Sequence, residues 1–276
     1  MPEIAALTAE AIGRLFWLAA LIGALTPIEL LLPQGPRASL AGRLQGVVFV
    51  VLSVVATTAT FWAYGHLLAT LHARPLLALD LKRVTAWAGP GSGALTAALA
   101  LCLSDLVFYW FHRAQHAVPW LWRFHSVHHS IRDMNAVNAY HHISEVVLQT
   151  LLVTLPLGYL FAIQTAQLPF VGLGGALWAI AIHSPTRFHV GPLRLLIADN
   201  RFHRIHHSTE AQHFDKNFGS VVSIWDTLFG TAYWPRRDEW PETGLADVPE
   251  PSSIKEWLLE PFKQRRRASE APAPAT

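Results

Sequence analysis

The stretch from Asp105 to His129 reads DLVFYWFHRAQHAVPWLWRFHSVHH. An apolar run ends in His112 and His116, an H-x-x-x-H pair, and nine residues later come His125, His128 and His129, an H-x-x-H-H cluster. The same cluster returns as His203, His206 and His207, and thirteen of the fifteen histidines fall between residues 112 and 213. Residues at i, i+3 and i+4 share one face of a helix, so each cluster is expected to present its rings together. A lone histidine is usually a structural residue, but eight in three such boxes read as a metal site with several imidazole ligands. Asp105 lies two turns below His112 on the same stripe. It is expected to accept the free ring N–H of a ligand histidine, as carboxylates behind metal-bound imidazoles do.

Working outward, composition places this cluster on a membrane protein. The chain of 276 residues is 52% hydrophobic and 14% charged, against about 25% charged in soluble domains. Residues 12–72 and 94–183 are mostly apolar, whereas 186–276 hold most of the charge. The net charge of +2 is too small to argue for nucleic acid. A single cysteine, Cys102, excludes a disulfide framework, a thiolate zinc site and an iron–sulfur cluster. The acidic opening MPEIAALTAE does not resemble a cleaved signal peptide.

The expected fold is all-α: a membrane-integral bundle of about four transmembrane helices plus a hairpin, under a histidine-rich cytoplasmic helical cap. Residues 15–32 form the first apolar span, tilted or broken at Pro27 and Glu29. Residues 47–71 form the second and 94–111 the third, each judged against the ~20 residues a crossing needs. The runs 145–163 and 170–183 are expected to form a tight hairpin. That return would bring His183 and the 203–207 cluster to the side of 112–129, as one shared site requires. Arg113, Arg123, Arg132, Arg187, Arg194, Arg201 and Arg204 all lie on the histidine side, which predicts a cytoplasmic site. Arg74, Lys82 and Arg83 then face the opposite side or lie along the membrane surface. Ser253 with Glu256 makes a capping-box pattern opening IKEWLLEPF, either a bilayer-surface helix or an ordinary cap helix. The tail from Gln264 is predicted to be disordered. Three segments follow: N-terminal membrane helices and connector (1–93), a catalytic domain (94–235), and an amphipathic segment with its tail (236–276).

DLVFYWFHRAQH resembles the D-x-x-Y-W-x-H-R-x-x-H motif of the fatty acid hydroxylase superfamily, also called the sterol desaturase family. LWRFHSVHHS resembles its second histidine box, RFHRIHHS its last box, WDTLFGT the signature that follows, and DKNFG its D-x-N-Y-G with Phe for Tyr. These matches cover roughly residues 100–235, in the family's order. The resemblance implies an integral-membrane, two-iron, O2-dependent lipid hydroxylase or desaturase. Carried over by position, the ligands are His112, His116, His125, His128, His129, His203, His206 and His207. To these it adds His183, after the last apolar run, and His142, in a box commonly reading R-x-H-P-x-E. That box here reads Tyr-His-His-Ile-Ser-Glu, departing at Tyr140 and Ile143 while keeping Glu145, and Pro185 stands where Asn often follows His-Ser. His189 reads as a surface residue, His213 as an outer or surface residue, and His66 and His72 as structural.

Imidazole suits iron, copper, nickel and zinc, so spacing alone names no metal. Eight or nine histidines exceed the four ligands of one structural zinc, which implies two metals. With no G-x-G-x-x-G after a strand and no cysteine cluster, electrons are expected from a separate reductase, ferredoxin or cytochrome b5-like partner. The expected substrates are a lipid and O2. A bis-histidine haem protein needs only two or four histidines, and a zinc hydrolase lacks its H-E-x-x-H. A non-catalytic metal-binding membrane protein stays open, favoured by the altered box at 140–145. The Ala-, Leu- and Arg-rich composition points to a GC-rich bacterial genome and its inner membrane.

Overall fold

The computed structural model describes residues 2–35, 38–72, 79–160, 168–187 and 190–263. His189, Arg74 and the tail from Gln264 lie outside them. The described residues are helical, with two isolated bridges, Pro33 with Thr186 and Ser208 with Thr243, in place of a sheet.

Three helices are long and apolar enough to cross a membrane. The first, α1 (Pro2–Leu31), runs unbroken through Pro27. Glu29, expected to interrupt it, is instead a tie point. Its carboxylate pairs with Arg43 and accepts from Ala136 N at 2.8 Å and Ser184 Oγ at 2.7 Å. The second, α2 (Leu40–Thr70), is capped by Ser39, whose hydroxyl accepts from Gly42 N. A Cβ on Gly46 would collide with the backbone carbonyl of Val137, so only glycine lets α2 approach that loop so closely. The third span joins α3 (Leu81–Thr85), a 3-10 turn (Ala86–Gly91) and α4 (Ser92–Ala117).

Of the expected four spans, three are present among the described residues. Among the described residues, the helices after residue 143 are shorter. They begin with α6 (Ile143–Gln149), a π turn (Thr150–Thr154) and α7 (Leu155–Leu160), followed by α8 (Leu168–His183). These pack onto the bundle, α6 on α2 and α8 on α1 and α4, and α8 delivers His183 to the side where α4 ends.

The histidine cap is built by chain breaks at defined places. α4 stops at Ala117 because Val118 precedes Pro119, which forces it into extended backbone (φ −99°, ψ 113°). Pro119 then opens α5 (Pro119–His129) at the one position where its missing N–H costs nothing. α9 (Asn200–His206) starts from Asp199, whose carboxylate accepts from Phe202 N at 2.9 Å. α10 (Ile224–Leu228) and α11 (Ile254–Leu259) complete the cap. α11 docks as a cap helix: Glu256 N donates to Ser253 Oγ, and Trp257 is fully buried against Phe49 at 4.8 Å. Phe49, Val127, Ile131, Met134, Tyr140 and Trp257 form one apolar core that joins α2, α5 and α11 beneath the cap.

Candidate metal centre

Nine buried histidines form two groups, within each of which the ligand atoms lie within 4.8 Å of one another. His112, His116, His125, His129 and His206 make the first, and His128, His183, His203 and His207 the second. The groups touch, the rings of His129 and His207 stacking at 4.5 Å.

The expectation that His125, His128 and His129 point one way is corrected here. Residues i and i+4 stand about 40° apart around a helix, whereas i+3 and i+4 stand about 100° apart. So His125 and His129 stay together while His128 turns to the other group. On α9 the same geometry keeps His203 with the adjoining His207 and turns His206 away. Each H-x-x-H-H turn thus lends its middle ring to the other turn's group.

Hydrogen bonds fix the tautomers. His112 Nδ1 donates to Phe218 O at 2.8 Å, His206 Nδ1 to Lys216 O at 2.7 Å, His128 Nδ1 to Tyr140 O at 2.9 Å, and His183 Nδ1 to Ala179 O at 2.6 Å. His125 Nδ1 donates to Glu145 Oε1 at 2.7 Å and His116 Nδ1 to Asp215 Oδ1 at 3.1 Å. Carbonyls and carboxylates only accept, so each of these rings carries its proton on Nδ1 and a lone pair on Nε2. Those lone pairs converge: His112 and His125 bring their Nε2 atoms to 2.9 Å, and His128 and His183 to 3.3 Å. His125 with His129, His116 with His129, His183 with His203, and His203 with His207 stand Nε2 to Nε2 at 3.0–3.1 Å. In the His112–His125 and His128–His183 pairs two proton-free nitrogens at such distances repel, and a cation between them is what satisfies the arrangement. His206 Nε2 is likewise buried without a hydrogen-bond partner. The donor set therefore fits metal ions, and nine nitrogens in two groups fit two of them.

Burial first, then the neighbouring rings, holds the imidazoles of His128, His129, His203, His206 and His207 well below the ordinary histidine value. His125 is lowered by burial too, against the opposing pull of the Glu145 carboxylate. Neutral imidazole is the ligand form, so the site is ready to bind near neutral pH.

The loop 215–219 supplies much of this orientation. Asp215 (φ 56°) and Asn217 (φ 59°) lie in the left-handed region, where Asn and Asp are among the few side chains tolerated. Asn217 Nδ2 donates to Phe202 O at 2.8 Å and Tyr233 O at 2.9 Å, and its Oδ1 accepts from Tyr233 N. Asp226 accepts from Phe218 N at 2.7 Å and Gly219 N at 2.8 Å. Held this way, the loop aims a carboxylate at His116 and carbonyls at His206 and His112.

Two expected residues sit elsewhere. Asp105 meets no histidine ring: it accepts from Ser220 Oγ and the backbone N–H groups of Ser220, Val221 and Val222, at 2.8–3.3 Å. The carboxylates that take a ring proton from these groups are Asp215 and Glu145, and Glu145 also accepts from Gln115 Nε2 and His141 Nδ1. His142 stands outside both groups, capping α6 by accepting from Ser144 N at 3.2 Å and facing Trp257 at 5.1 Å. Its neighbour His141 turns inward instead, stacked on His128 at 3.8 Å, and with His125 and Glu145 forms a third cluster. The adjacent His-His pair was the only signal for this in the sequence. His213 is fully buried but outside the groups, between Ser208 Oγ at 2.8 Å and Glu239 Oε1 at 3.1 Å.

A family model described as fatty acid hydroxylase matches residues 97–231, which contain all nine rings. The chain is 28% identical over 182 residues to an ornithine lipid hydroxylase, OlsE, of Rhizobium tropici, covering 66% of this chain and 54% of that protein. It is 32% identical over 129 residues to the alkylglycerol monooxygenase of Homo sapiens, covering 46% and 28%. It is 32% identical over 149 residues to a fatty acid hydroxylase, vlmA, of a Lecanicillium species, covering 46% and 39%. The chain thus spans about half or less of each of these relatives. No solved structure matches it.

Proposed function

We propose, from the premise that residues 97–231 belong to the fatty acid hydroxylase family, that this chain is a membrane-embedded, two-iron hydroxylase of a lipid. The observation that carries the reading is the pair of touching, all-imidazole groups with converging lone pairs. Bound there, two irons would supply activation of O2 and removal of hydrogen from an unactivated C–H bond. Everything else falls to the chain. His112, His116, His125, His129 and His206 would hold one ion, and His128, His183, His203 and His207 the other. Glu145, Asp215 and the carbonyls of Tyr140, Ala179, Lys216 and Phe218 keep the protons of six of the nine rings on the far nitrogen, so that those ligands stay neutral and aimed. Val127, Ile131, Phe202 and Ile205, all buried, limit water around the rings.

Three relatives bear names that include hydroxylase or monooxygenase, which supports oxygen insertion over desaturation. Electrons come on this reading from a separate protein partner. On this reading residues 94–235 form the catalytic unit, 1–93 the N-terminal membrane helices and connector, and 236–276 the amphipathic segment with its tail. The arginines on the histidine side support a cytoplasm-facing site, and composition alone supports a bacterial inner membrane.

The test is metal analysis of detergent-purified protein, followed by mass spectrometry of lipid extract incubated with the protein, O2 and a reductant. About two irons per chain and a lipid that gains one oxygen atom are expected. One zinc per chain and no oxygen-dependent product would sink the reading.

A further inference from the structure

Residues 191–198, between α8 and α9, belong to no histidine group, yet they stand at a defined depth. Trp178 Nε1 on α8 donates to Ala198 O at 2.9 Å, five residues before His183. Ser223 donates to Arg194 O and Leu196 O, and Ala198 N to Val221 O, in the loop that Asp105 clamps seven residues before His112. At 1.5 Å per helical residue this layer lies about 7–10 Å below the rings, toward the apolar bodies of α4 and α8. There it presents Leu193, Leu195 and Leu196, each more than half exposed (54%, 56% and 52%). Leu228 and Phe229, beyond the same 220–223 loop, are exposed as well, and Phe229 packs on Trp110 of α4 at 4.8 Å. Beside the leucines is a recess of about 310 Å³ lined by Gly191, Pro192, Arg194, Asp199 and Arg201. Among the described residues neither guanidinium has an ion-pair partner.

We propose that residues 191–196 form a wedge at the membrane interface, with its leucines among acyl chains and Arg194 and Arg201 holding the phosphate of an anionic phospholipid. Three exposed leucines sit on one short turn, and the 220–223 loop ties that turn to α4, part of a helix that can cross a bilayer, so lipid is the surface that covers them. Arginine heads beside them match the phosphate level by charge and fork geometry. Neither the metal nor the reaction enters this argument.

The test uses the full chain in nanodiscs, with Cys102→Ser as background. A spin label at Leu195→Cys is expected to be relaxed more by O2 than by water-soluble chromium oxalate, with the order reversed at the exposed control Gln212→Cys. Equal chromium access at both positions would overturn the wedge. In native mass spectrometry, the Arg194→Gln, Arg201→Gln variant is expected to retain phosphatidylglycerol about fivefold less per arginine lost than the parent. Phosphatidylcholine retention should not change, and inorganic phosphate should not displace the bound lipid. Unchanged phosphatidylglycerol retention, or displacement by free phosphate, would overturn the lipid assignment. Should the double variant fail to fold, Arg194→Gln alone answers the question, because that side chain donates no hydrogen bond among the described residues.

Discussion

Glu145 accepts from Gln115, His125 and His141 at once, and through His125 it reaches the first histidine group. Asp105 accepts four bonds, but all from the 220–222 loop. The two carboxylates therefore predict different losses. Glu145→Gln removes the charge that steadies His125 and is expected to weaken metal affinity about 10–100-fold, measured by chelator competition. Asp105→Asn turns an amide toward a backbone N–H and should cost about 1–3 kcal/mol of stability, read as a lower unfolding midpoint, with metal per folded chain unchanged. A metal loss in Asp105→Asn equal to that in Glu145→Gln would refute the distinction. The sequence offered Asp105 because it shares a stripe with His112. Glu145 was visible only as the retained glutamate of its box, and its bond to His125 was not, because a contact between α4, α5 and α6 has no local pattern. The same limit applies to His141 and His142: adjacent side chains on extended backbone face opposite ways, and only the packing of Trp257 decides which ring turns inward.

At the scale of elements, α5 and α9 exchange their middle rings. Removing His128 leaves three rings in its group, whereas removing His206 leaves four in the other. After dialysis against a chelator, His128→Ala is expected to lose the metal of the second group, and His206→Ala to retain more of the first. Equal losses would contradict this assignment of rings to groups. The loop 215–219 acts as a unit on the first group. Asn217→Ala gives up three hydrogen bonds and a tolerated left-handed residue, a backbone cost of about 1–2 kcal/mol. It should weaken metal binding in the first group, with Asn217→Gly recovering only the backbone share. Wild-type metal affinity in Asn217→Ala would count against the loop's role. The boxes and their i, i+4 spacing were readable from the sequence, and so was the D-x-N-F-G segment. The exchange was not, because i, i+3 and i+4 count as one face by spacing alone, while the 100° between neighbours separates i+3 from i+4.

For the whole molecule, the apolar runs located the three long helices, although α1 continues through Pro27 and, among the described residues, no helix after residue 143 is long enough for a crossing. The arrangement makes stability depend on pH. Buried rings with lowered pKa bind fewer protons folded than unfolded, so the unfolded state takes up protons as pH falls through the ordinary histidine value of about 6.5. The stabilising difference is present above that value and lost below it. The metal-free protein in detergent should therefore show a falling unfolding midpoint from about pH 7 to pH 5, and the metal-loaded protein, whose ligated rings bind no protons, at least as large a fall from a higher midpoint. A flat profile for the metal-free form would argue against burial of neutral rings. The exchange of rings between α5 and α9 also sets how the chain can be divided. Each half of the joint carries the other's pin. A fragment ending before Asn200 would lack His206, and would keep only His128 and His183 of the second group. Neither centre can be cut out and carried on a shorter protein, and newly made chain must wait for α9 before either centre is complete.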